Sequence, residues 1–132
     1  MRKNKGFTLI ELMVVIGILA ILMVFLLPRI SRAQKSGNDQ AALSYLRQIT
    51  EAEAQYRGRN FTYTGNLADL QNLEPPLPAA PAGVTAALLS GDATGFCAVA
   101  RHDDGTYWQQ ATQDGIKSMS VKATEAQPTA CE

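Results

Sequence analysis

Lys5-Gly6-Phe7-Thr8-Leu9-Ile10-Glu11-Leu12 opens the stretch that decides the fold. From Leu12 to Leu27 every residue is apolar or glycine, and Phe7, Leu9 and Ile10 extend the run past Thr8 and Glu11. A run of this length spans a bilayer as a helix. Its aliphatic side chains each gain roughly 0.3 to 0.6 kcal/mol on insertion, which in sum offsets a single carboxylate. Arg2, Lys3 and Lys5 precede the run. Positive charge there holds the N-terminus on the cytoplasmic side and directs the remainder outward. Gly17 weakens the helix. Pro28 removes a backbone hydrogen bond and clashes with the preceding turn, at a cost of roughly 3 kcal/mol, and so marks a kink.

Glu11 is the anomaly. A carboxylate inside an apolar helix is costly and points to a function. It needs a cation, and neither Lys5 nor Arg29 is spaced to supply one on its own helix face. The partner is therefore expected from another chain, such as a neighbour's α-amino group. Two plainer readings compete. One is a simple signal anchor. The other is a secretory signal peptide cut near Ser31-Arg32-Ala33, which would leave a soluble domain starting at Gln34. Against the latter, the apolar run exceeds the usual signal length, and Pro28, Arg29 and Arg32 are unsuited to a cleavage region.

The segment Lys5 to Leu12 resembles the type III leader and N-terminal motif of type IV pilins and the related pseudopilins, and the apolar continuation to Leu27 matches as well. The resemblance implies cleavage between Gly6 and Phe7 by a prepilin peptidase, N-methylation of Phe7, and pairing of Glu11 with the amino terminus of an adjacent subunit during assembly. It also implies a weak point in the helix around Pro28. Gly6 suits a scissile bond because it has no side chain to obstruct close approach. The implied partners are identical or related pilin subunits, the peptidase and methylase, the inner-membrane assembly machinery, and lipid before assembly. The implied location is the bacterial inner membrane first and the cell-surface filament afterwards. A minor pilin or secretion-system pseudopilin would share this leader. Adhesion, twitching motility and DNA uptake are outputs such filaments have in common.

Beyond Pro28, Ala42, Tyr45, Leu46, Ile49, Ala52 and Tyr56 recur at spacings of three and four, the apolar face of an amphipathic helix. Arg47, Gln48, Glu51 and Glu53 are assigned to its wetter side, and Gly58 reads as the stop. A short helix is expected from Asn66 to Leu73, followed by the stiff stretch Pro75, Pro76, Pro78, Pro81. Strands are expected over Val84–Leu89, Phe96–Arg101, Thr106–Ala111 and Ile116–Lys122. Asp103-Asp104-Gly105 reads as a hairpin turn in which glycine takes a positive φ. The expected fold is α+β, a long N-terminal helix packed against a small antiparallel sheet, as in pilins. The segments are 1–6 (leader), 7–57 (helix, with 7–27 crossing the membrane and forming the filament core), 58–83 (helix-to-sheet loop) and 84–132 (sheet). Cys97 and Cys131, in an exported domain, read as a disulfide fastening the tail from Thr124 to Glu132. Closing that loop stabilises a small core by roughly 3 to 4 kcal/mol in the chain-entropy model.

The remaining composition argues against chemistry. Cut before Phe7, the chain carries nine basic and twelve acidic residues, a net −3, with no basic patch for nucleic acid. His102 has no second ligand at metal spacing, and Asp103, Asp104 and Asp114 suit turns better than a calcium ladder. No nucleophile motif or phosphate loop is present, so neither an enzyme nor a cofactor is expected. Arg57 and Arg59 are read as solvated charges, and Trp108, next to Tyr107, as sheet packing rather than a stacking platform for bases. A membrane-tethered or secreted binding domain would instead need cations gathered around Trp108.

Overall fold

In the computed structural model, which describes residues 6–132, the elements run α1 (Leu9–Asn60), α2 (Leu67–Gln71), β1 (Val84–Gly91), β2 (Phe96–His102), β3 (Tyr107–Thr112) and β4 (Gly115–Lys122). The basic cluster Arg2, Lys3 and Lys5 lies outside the described residues. The expected α+β class holds: a long N-terminal helix and one antiparallel sheet of order β1-β2-β3-β4. The chain forms two units, Met1–Gln34 and Lys35–Glu132.

In the first unit the helix is apolar on every side, and all described side chains from position 6 to position 27 are exposed. It is long and apolar enough to cross a membrane. The backbone at position 28, where a kink is expected, is helical.

In the second unit the helix becomes one-sided. Ala42, Tyr45, Leu46, Ile49 and Ala52 are buried against Val84, Phe96, Ala98, Ala100 and Ala111 of the sheet. Alternation along β2 sends Phe96, Ala98 and Ala100 to the helix and Val99 to the far face. The three alanines leave room for the helix to approach closely. Each fully buried large aliphatic chain, such as Leu46 or Ile49, contributes roughly 1.5 to 3 kcal/mol. The far face is covered too. Val99, Trp108 and Met119 form a second cluster capped by Cys131, which is disulfide-bonded to Cys97. The Arg101 guanidinium lies 5.2 Å from the Trp108 ring and donates to the Ala123 carbonyl. Gln110 exchanges two hydrogen bonds with Glu132, at 2.9 and 2.7 Å. The tail thus acts as an irregular extra layer.

Polar bonds hold the helix to the sheet domain at two levels. Lower down, the Thr106 amide donates to Asp39 Oδ1 at 2.8 Å. Higher up, the Thr64 amide donates to Glu53 Oε2 at 3.1 Å. Three expectations are corrected here. Glu53 is fully buried, not on the wet side, because the chain after the helix folds back over it. That return is fastened by Tyr63, whose amide donates to the Asp92 carbonyl at 2.9 Å. It lies so close to β1 that a Cβ on Gly91 would be 2.1 Å from the Thr64 oxygen. Gly105 does not take a positive φ; a Cβ there would instead fall 2.6 Å from Asp39 Oδ1 and displace that carboxylate from its place beside the turn. Finally, α1 runs through Gly58 to Asn60, and the left-handed residue that ends it is Phe61, with φ of 60°. That conformation costs a side-chain-bearing residue roughly 1 to 2 kcal/mol.

Burial pushes the Glu53 carboxyl from 4.5 up to about 7; the Thr64 amide opposes the rise, and the charge of Asp69 adds to it. No described residue hydrogen-bonds to its Oε1. Between 4.5 and about 7 the folded domain binds more protons than the unfolded chain, so its stability falls as pH rises through that window. The loss has an upper bound of roughly 3 kcal/mol. Urea unfolding followed by Trp108 fluorescence is expected to give a lower midpoint at pH 8 than at pH 5, and Glu53→Gln is expected to flatten the difference. Equal slopes in the two proteins would refute the assignment to Glu53.

Candidate assembly site at the helix N-terminus

Gly6, Phe7 and Thr8 precede α1 in non-helical backbone and are exposed. Among the described residues, nothing lies within 4 Å of a Cβ placed on Gly6. Phe7 is 80% exposed.

Thr8 and Glu11 are coupled. The Thr8 amide and the Thr8 hydroxyl each donate to Glu11 Oε2 at 2.9 Å, and the Glu11 amide donates back to Thr8 Oγ1 at 3.3 Å. This reciprocal pattern is a capping box, which satisfies donors that the first helical turn leaves without partners. A carboxylate at this end also complements the positive end of the helix dipole. The Thr-x-x-Glu spacing was legible in the sequence, and attention to the charge of Glu11 alone passed over it. Among the described residues none donates to Oε1 and no cation pairs with Glu11. The carboxylate is therefore oriented by Thr8 through Oε2.

Ile10, Val14 and Val15 flank Glu11 in a shallow apolar depression. A charge pair formed there would be shielded from water once a second apolar helix covered it, which strengthens attraction between opposite charges. Cys97 and Cys131 belong to the sheet domain, where they are bonded to each other with Cα atoms 5.9 Å apart.

Residues 1–27 match the prokaryotic N-terminal methylation motif. Over its whole length the chain is similar to the type IV wide pilus major component PilA4 of Thermus thermophilus, with 40% identity over 132 residues and 99% of each chain covered. This chain belongs to the type IV pilin family. In the pilin, the motif match falls on the apolar, exposed part of α1, while the similarity to the relative continues through the sheet domain.

The capping box has a measurable consequence. Thr8→Ala removes a cap worth about 1 kcal/mol, which is about a fivefold change in the opening of the first turn. In detergent micelles the Glu11 amide is expected to exchange with solvent about fivefold faster in Thr8→Ala than in the parent, and Thr8→Ser is expected to restore protection.

Proposed function

We propose that this pilin is a major, filament-forming subunit of a type IV pilus, cut after Gly6, methylated on Phe7, held in the inner membrane by residues 7–27, and then polymerised into a cell-surface fibre. The observation that carries the proposal is the fully exposed apolar stretch of α1 with a single oriented carboxylate near its start. Cleavage at Gly6–Phe7 creates an α-amino group four residues ahead of Glu11. In a bundle of such helices, the amino group of one subunit meets the Glu11 carboxylate of the next. Lipid and a helix bundle are similarly apolar, so the gain on assembly comes from packing fit and from this charge pair. Pro28, lacking a backbone N–H, is the point at which α1 yields if the bundle requires it to stretch.

The role requires no catalysis and no cofactor of the subunit itself. Its partners are other copies, the prepilin peptidase and methylase, and the assembly machinery of the inner membrane. Similarity to a major component along the whole chain favours the bulk-fibre role over that of a minor pilin or pseudopilin.

N-terminal sequencing and intact mass of material sheared from cells are expected to show a chain starting at methylated Phe7 and abundant in fibres. A start at Gln34, or an uncut chain confined to membranes, would overturn the proposal. Two substitutions separate the functions of Glu11. Glu11→Gln keeps an acceptor for Thr8 but removes the charge, whereas Glu11→Ala removes both. Both variants are expected to insert into membranes and to lose fibres, with helicity of the first turn kept only in Glu11→Gln. Normal fibres from Glu11→Gln would show that the charge is dispensable.

A further inference from the structure

α1 ends on a residue that helix ends ordinarily avoid. Phe61 has a φ of 60°, its amide donates to the Arg57 carbonyl at 2.8 Å, and it is 85% exposed. Glycine and asparagine adopt this conformation most readily, and Gly58 and Asn60 lie within three residues of the position. The ring belongs to neither apolar cluster of the domain. The bond to Arg57 offsets part of the cost of the backbone conformation, but a glycine would make the same bond, and the exposed ring adds no packing to either cluster.

Two cations precede it in the chain, and each is held by a partner of its own. Arg57 lies over the Tyr63 ring at 5.0 Å and donates to the Tyr63 hydroxyl at 3.0 Å, while Arg59 donates to the Glu74 carbonyl at 2.7 Å. The end of α1 thus presents an exposed apolar ring four and two residues after two exposed cations. One to three helical turns earlier, the same domain carries a groove of about 310 Å³ between Glu51 and Gln55 of α1 and the prolines Pro75 and Pro76, backed by Ala52 and Leu77. Ala52 and Leu77 are buried, whereas Glu51 is exposed and supplies a negative rim. Proline faces and aromatic rings are complementary surfaces, as in the recognition of proline-rich segments.

We infer that Phe61 of one copy seats in the Gln55–Pro76 groove of the next copy, with Arg57 and Arg59 beside its Glu51. The inference rests on the pilin reading. Ring and groove are different patches displaced along α1 by about 14 Å, taken from the helical rise between position 61 and the middle of the groove. A contact between two unlike patches is heterologous, and repeated without closure it generates a helical fibre rather than a dimer. Every interior subunit uses both of its patches.

The test compares the free subunit with the fibre. Phe61→Gly relieves the backbone and removes only an exposed ring, so the full chain in detergent is expected to melt at the parental temperature or above it. Sheared fibre yield is expected to fall at least fivefold. In a second variant, Phe61→Cys combined with Gln55→Cys, mild oxidation of fibres is expected to produce a ladder of covalent multimers absent from detergent-dispersed subunits. Parental fibre yield from Phe61→Gly overturns the inference and leaves the pilin reading standing. A large drop in the melting temperature of free Phe61→Gly overturns it by showing a role within the domain, as does oxidised fibre without multimers. If the parent chain itself forms no fibres, the pilin reading fails and the inference with it.

Discussion

Every packed element of residues 35–132 is arranged around one stripe on α1, formed by Ala42, Tyr45, Leu46, Ile49 and Ala52. Such a stripe is exposed to water unless something covers it, and a four-stranded meander does so with a floor of alanines. The other face of the meander carries Val99, Trp108 and Met119, whose exposure to water would be costly. Its second face is therefore closed by the tail through Trp108, Arg101 and the Cys97–Cys131 bond. One helical stripe thus sets the requirement that the sheet and then the tail meet in turn. The other half of α1 obeys a different rule. Its side chains are apolar all round, the pattern of a helix whose surroundings are apolar on every side.

Much of this was legible in the sequence because periodicity reports burial directly. The spacing of Ala42, Tyr45, Leu46 and Ile49 identified the buried helical face, and alternation with turn residues identified the four strands. Glu53 was misplaced because periodicity knows only the helix. The return of the chain that lays Thr64 over Glu53 is a tertiary event with no local signature. Gly58 was read as a stop because glycine ends helices on average, yet Phe61 adopts the left-handed conformation. Gly105 was singled out for a positive φ, whereas what bears on it is the approach of Asp39 from a helix more than sixty residues earlier. Non-local contacts determined each of these misses except the helix end.

The N-terminal site was legible in its parts and incomplete in its chemistry. Gly6, Phe7 and Glu11 stood out by type and position, whereas the part played by Thr8 emerged from bonds no longer than 3.3 Å. A carboxylate already held by its own helix end has fewer conformations to lose when it meets a cation. This preorganisation reduces the entropic cost of association. The capping role of Glu11, carried by Oε2, is thus compatible with the proposed pairing.

The bond between Cys97 and Cys131 joins β2 to the tail across 34 residues of sequence. Both exposed turns that follow β2, at Asp103-Asp104 and at Gln113-Asp114, lie between the two cysteines. A protease that cuts either turn breaks the chain without separating its pieces, since the fragments stay covalently joined and packed on both faces of the sheet. A surface polymer built from such domains would accumulate nicks outside the cell without shedding mass.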